Sequence, residues 1–250
     1  QDLTRDLKRE VYHLPLYEWF DEMGIHEPEL AGLHRMRQRQ IKAYKKVYQL
    51  HLRSALNVWG QVRDLWKSHR DIYDQDEIEA CQHVQEIDNR CVTRLEEIRD
   101  DFSALQQPWL HETAIPLFEN IAYTFSQCAA IVITGGNVAV LRNRMYFFGL
   151  EHLLREALDE GRHIFAWSAG AMALTDRIVL YYDDPPLGVR YPEILDTGLG
   201  LLNDTILLPH ASTRLKLSDP ERIEKFARRF EPATCICLEN GAHIVYDEDG

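Results

Sequence analysis

Ser168 follows a short apolar run, Ile164-Phe165-Ala166-Trp167, and precedes Ala169-Gly170. A serine placed where a strand turns sharply into a helix can act as a nucleophile, because the turn lifts its hydroxyl above the sheet edge. Ala166, Ala169 and Gly170 are the small neighbours such a turn needs. A helix beginning at Ala169 also aims backbone N–H groups at an oxyanion formed beside Ser168. The chemistry in view is acyl transfer through a serine ester. Tightly packed strand-to-helix turns carry the same short pattern without any chemistry, so the reading depends on companion residues.

A serine hydroxyl is a poor nucleophile until a base takes its proton. Of eleven histidines, His210 is the best placed, because it closes the apolar run Ile206-Leu207-Leu208-Pro209 and falls at the C-terminal edge of an expected strand. His163 opens its strand, at the opposite edge; His243 opens another, and His152 lies on a helix. The base in turn needs a carboxylate that holds its tautomer. Asp183 and Asp184, before Pro185-Pro186, and Glu239, after an apolar run, all stand at strand ends. Gly135-Gly136 also ends a strand and is suited to supply a second oxyanion donor. The pair lacks the spacing of a phosphate loop, which disfavours a nucleotide site.

The elements that must position these residues change character along the chain. Between Pro28 and Pro108 there is no proline, and Gly32 and Gly60 are the only glycines. Leu33, Met36, Ile41, Tyr44, Tyr48, Leu52, Leu56, Trp59, Val62 and Trp66 recur at mostly three- and four-residue steps, which predicts one long helix. Ile78, Cys81, Val84, Ile87, Cys91, Leu95 and Ile98 predict a second over 76–105, and the two form an αα-hairpin turning near 68–74. From residue 113 onward, strands are expected at 129–133, 163–167, 178–181, 205–208, 235–238 and 243–246. Helices are expected at 115–127, 142–160, 169–175 and 220–230. Alternation of this kind predicts an α/β fold, a mostly parallel sheet with helices on both faces, preceded by the long helical hairpin. The expected division is a helical region over 1–112 and a catalytic domain over 113–250.

A net charge of −12 argues against a general nucleic-acid binder; the basic stretch 35–46 is the one local exception, and it reads as a solvated or internally paired face. No apolar run reaches the roughly 20 residues of a membrane span. Five cysteines without paired short spacings form neither a disulfide framework nor a zinc pattern, which fits a reducing cytoplasm. Cys235 and Cys237 read as core rather than as ligands. A protruding hairpin would suit homo-oligomer formation.

Four features in order, Thr134-Gly135-Gly136-Asn137, Trp167-Ser168-Ala169-Gly170-Ala171, Gly198-Leu199-Gly200-Leu201-Leu202 and Pro209-His210, resemble the serine peptidase family of dipeptidase E and cyanophycinase. The resemblance implies a class I glutamine amidotransferase-like fold. It implies Ser168 as nucleophile, His210 as base, Asp183 as the acid, and Gly136 and Ala169 as oxyanion donors. No metal or organic cofactor is implied. The substrate class is a peptide or related amide, with acidic groups favoured; Arg214 and Asn137 are the candidate substrate contacts. The sequence departs from the family in carrying Ala166 where a glycine is usual, and in placing the helical hairpin where a first βαβ unit is expected. A family-related scaffold without activity, its hairpin serving assembly, is the alternative reading.

Overall fold

The computed structural model describes residues 9–182 and 191–246. The chain opens with α1 (Leu16–His26) and continues into the hairpin, α2 (Pro28–Ser68) and α3 (Arg70–Gln106). Pro28 suits the first turn of α2, where its missing N–H leaves no bond unmade. The turn between the two helices is the single residue His69, so α3 starts six residues earlier than the 76–105 reading. Gln107, in the left-handed region, ends α3 just before Pro108. A short 3₁₀ turn, Pro108–Leu110, leads to α4 (Ile115–Gln127).

The remaining elements alternate. They are β1 (Ala130–Ile133), α5 (Val138–Phe147), α6 (Leu150–Asp159), β2 (His163–Ala166), α7 (Ala169–Leu174), β3 (Arg177–Leu180), β4 (Glu193–Thr197), β5 (Thr205–Pro209), α8 (Ala211–Arg214), α9 (Pro220–Phe230) and β6 (Thr234–Leu238). Strands β1 and β2 pair in parallel, as do β5 and β6, and β3 pairs antiparallel with β4 across an irregularity at Ile178/Val179. The α/β class and its parallel pairing thus match the expectation, with the described strands hydrogen-bonded as three pairs.

Three local readings need correction. The helix expected over 142–160 is two helices, because Gly149 adopts φ 66° and breaks the path between α5 and α6. The strand expected over 243–246 is absent; those residues are irregular and exposed. Strand β4 was not foreseen, since its buried Glu193 and Asp196 interrupt any apolar signal.

The hairpin is not a free arm. Tyr48, Leu52 and Trp59 of α2 and Val84, Ile87 and Leu95 of α3 share one buried cluster with strand residues Ile178, Ile194, Ile206 and Leu208 and with Phe230 of α9. A second cluster joins α1, α4, α5 and α6 to β1 through Met23, Ile121, Ile133, Phe147, Phe148 and Leu154. Polar groups cross the same seam with their partners in place. Tyr48 donates to Asp88 Oδ1 at 2.7 Å and accepts from the Ile194 N–H at 2.9 Å. Trp59 donates to Glu77 Oε1 at 2.9 Å.

The basic stretch also turns inward in part. Met36, expected in the apolar stripe, is 59% exposed, while its neighbour Arg37 is buried with its guanidinium 4.3 Å from the centre of the Phe102 ring. Lys45 donates to the Leu195 carbonyl at 2.9 Å. Among the described residues no helix is long and apolar enough to cross a membrane.

Candidate active site

Ser168 sits between β2 and α7, where the chain reverses from strand to helix. The β1–β2 ladder runs one step past the strand ends through Trp167 N–H to the Ile133 carbonyl, 3.2 Å. Ser168 then adopts φ 54°, ψ −124°, a conformation that L side chains rarely take. The Met172 N–H returns to the Ser168 carbonyl at 3.1 Å, and the helix is under way. Its first residues, Ala169 and Gly170, are buried. A Cβ on Gly170 would stand 2.8 Å from the Thr134 carbonyl oxygen and overlap that of Ile133, so only glycine lets α7 lie this close to the end of β1. The Ser168 residue itself is half-buried and open to solvent.

The end of β1 forms the facing wall. A Cβ on Gly135 would lie 3.0 Å from Ser168 Cβ and 3.2 Å from its Oγ. Gly136 adopts φ 147° with open space where a Cβ would be, and it is exposed. The Asn137 side chain caps α5, accepting from the Val140 N–H at 3.2 Å, so its oxygen is committed to the fold. Thr134 to Asn137 and the Ser168 turn therefore meet at one end of the parallel pair, as their register, Ile133 opposite Ala166, requires.

His210 lies past the end of β5, is exposed, and adopts the left-handed conformation φ 59°, ψ 38° ahead of α8. Its backbone N–H donates to the Leu238 carbonyl at 2.9 Å, and its carbonyl accepts from the Thr213 N–H and hydroxyl at 3.1 and 2.9 Å. The parallel register places Pro209 opposite Leu238, so His210 and Glu239 leave their strands side by side. Glu239 accepts from the Ser212 N–H at 2.6 Å and from the Ser212 hydroxyl at 2.8 Å. These two donors, with the His210 charge nearby, hold the Glu239 carboxyl below its ordinary range. Sequence order alone does not reveal the Ser212 contact, because it links two strands through their ends.

Arg214 stacks over Tyr181 and Tyr182, with 5.6 and 5.2 Å to the ring centres, and those rings stack on each other at 6.2 Å. Tyr181 donates to the carbonyl of Pro209, the residue before His210, at 2.6 Å. The chain thus enters the segment after residue 182 from a point tied to the His210 strand. Asp183 and Asp184 lie outside the described residues.

The structure therefore brings Ser168 against Gly135 and His210 beside Glu239. Among the described residues, no hydrogen bond joins the Ser168 hydroxyl to the His210 ring. Of the cysteines, Cys237 is exposed rather than core, and burial pushes the half-buried Cys235 thiol up to about 12. Among the described residues, no group of three or more His, Cys, Asp or Glu side chains is arranged to hold a metal ion.

Comparison with known proteins agrees with the resemblance read from the motifs. No curated protein matches the chain. Among solved structures, a candidate peptidase E protein from Listeria monocytogenes EGD-e matches at 20% identity and a TM-score of 0.34, over 49% of this chain and 57% of that one. The sequence profile of peptidase family S51 matches residues 95–250, which include the Ser168 turn, the glycines facing it, His210 and Glu239. The chain belongs to peptidase family S51.

Proposed function

We propose that this chain is a serine peptidase-type hydrolase that cleaves a peptide or related amide bond through an acyl-enzyme on Ser168. The observation that carries the reading is the backbone of Ser168, φ 54°, ψ −124°, at a strand-to-helix turn. A conformation this costly, about 1–3 kcal/mol, persists where the surrounding structure enforces it, and such residues cluster at active sites.

In this mechanism Ser168 Oγ attacks the substrate carbonyl while His210 takes its proton. His210 returns that proton to the leaving amine, and water then hydrolyses the ester by the same route. The N–H groups of Ala169 and Gly136 face the developing oxyanion. Asp183 orients the imidazole, and Glu239 fixes the turn that follows His210 through Ser212. Arg214 recognises an acidic group on the substrate by paired N–H donation.

One observation favours a second reading, an inactive scaffold: the His210 ring is exposed and makes no hydrogen bond to Ser168. A fluorophosphonate probe separates the two. The hydrolase reading expects labelling of the wild type that is lost in Ser168→Ala and slowed in His210→Gln. Equal labelling of wild type and Ser168→Ala would sink it.

A further inference from the structure

A cavity of about 430 Å³ opens where α2 meets α9, at a seam whose residues have no role in the chemistry proposed at Ser168. This size suits a small organic ligand, since such sites run from about 300 to 1,000 Å³. Its apolar lining comes from Leu56 and Trp59 of α2, Leu215 just past α8, and Ile223 and Phe226 of α9. Neither Ser168, Gly136 nor His210 lines it.

Most of the charged groups at its rim, Arg222 among them, already have partners. Asp219 caps α9, accepting from the Arg222 N–H at 3.1 Å. Glu221 is held by Lys67 and lies 3.6 Å from Arg63. Arg229 is bound to Asp88 at 2.7 Å and to the Pro192 carbonyl at 2.6 Å. Two cations differ. Arg53 is exposed and, among the described residues, makes one long contact, 3.5 Å, to the Tyr191 hydroxyl. Lys225 lies over the Trp59 ring at 5.3 Å, half-buried, and no carboxylate among the described residues comes within ion-pairing distance of its ammonium. Burial first, and then the Arg63 charge, hold that ammonium below its ordinary value.

We infer that this cavity binds an amphipathic anion, with its apolar body against Leu56, Leu215 and Phe226 and its carboxylate or phosphate between Lys225 and Arg53. The apolar lining removes hydrocarbon from water, and the two cations select the charge. A bound anion would also relieve the desolvated Lys225, which a neutral ligand cannot do. Leu215 links the pocket to the rest of the protein, since its N–H donates to the Ala211 carbonyl at 2.8 Å, at the start of the turn after His210.

The test is isothermal titration of the full chain with decanoate, decyl phosphate and uncharged decanamide. Saturable one-to-one binding of either anion is expected, at least fivefold tighter than the amide. Lys225→Gln and Arg53→Gln should each weaken anion binding at least fivefold without changing the amide. Leu56→Trp, which fills the cavity, should abolish both, with thermal melts showing that all three variants fold. Binding should be unchanged in Ser168→Ala, which keeps this result separate from the fate of the catalytic reading. Absence of saturable binding, equal affinity for anion and amide, or variants that bind like the wild type would overturn the proposal.

Discussion

Gly135 lies close against Ser168: a Cβ on Gly135 would stand 3.2 Å from the Ser168 hydroxyl oxygen and 3.0 Å from its Cβ. Contacts this short are tighter than nine in ten that real Cβ atoms make, so an alanine there requires Ser168 or the end of β1 to give by a few tenths of an ångström. A displacement near 1 Å at a reacting group costs about 100-fold in rate. A shift of a few tenths of that size costs less, so Gly135→Ala is expected to slow fluorophosphonate labelling by about 3- to 10-fold while the thermal midpoint stays near that of the wild type. Labelling at the wild-type rate would show that Gly135 does not set the position of the hydroxyl.

The strained backbone of Ser168 leads to an opposite expectation for stability. Glycine takes φ 54°, ψ −124° without the clash a Cβ brings, at some cost in unfolded-chain entropy. Ser168→Gly should therefore raise stability by about 1 kcal/mol, a shift of about 2–4 °C for a chain of this size. A lower melting temperature than wild type, measured by calorimetry, would count against strain at this turn.

Much of the turn that carries Ser168 is legible in the sequence, because a short apolar run ending in Ser-Ala-Gly leaves few ways to proceed. The same holds for α9, whose Asp219-Pro220 start and apolar spacing mark it from 220 to 230. What could not be read were features fixed by partners distant in sequence. Strand β4 buries Glu193 and Asp196 because Gln49 donates to Glu193 at 2.8 Å and Arg99 pairs with Asp196, across about 100 residues or more. Arg37 rather than Met36 faces inward because Phe102 of α3 offers it a ring. Glu239 was visible as a strand-end acid, but its hold on Ser212 depends on β5 and β6 being neighbours.

That hold suggests a measurable role for Glu239. Removing the carboxylate frees both Ser212 donors and lets the turn after His210 relax. Glu239→Ala is expected to slow labelling about tenfold, in line with losses from misplacing a catalytic base. Glu239→Asp should recover part of that loss. An Ala variant labelled as fast as wild type would remove Glu239 from the machinery.

His34 should shape the response to acid. Burial, with the Arg37 charge second, pushes its pKa down to about 3 from 6.5, and its Nδ1 accepts from Arg37 at 3.3 Å. Below 6.5 the unfolded chain takes up a proton that the folded chain refuses, so stability falls as pH drops from 6.5 toward 3. His34→Gln keeps an acceptor but cannot titrate. Urea unfolding should show that wild type loses roughly 1–2 kcal/mol more than the variant between about pH 7 and 5. Parallel pH profiles would rule this out.

Asp88 and Arg229 form a buried pair, at 2.7 and 2.8 Å, between α3 and α9, with Tyr48 donating to the same carboxylate. Breaking one side leaves a charge uncompensated in the interior, which costs about 3–5 kcal/mol. Arg229→Met should lower the urea midpoint accordingly, and Asp88→Asn with Arg229→Met should recover part of the loss. A double variant no more stable than the single one would argue that the pair acts chiefly by packing.

Because the hairpin helices and the strands beneath them fill one interior, the long helices work as a wall of the vessel rather than as a handle attached to it. A chain cut to residues 113–250 would expose Ile178, Ile194, Ile206 and Leu208 along one side, greasy and without cover. Any change of sequence in the hairpin is therefore inherited by the strand ends from which Ser168 and His210 project, and the two halves must be varied together.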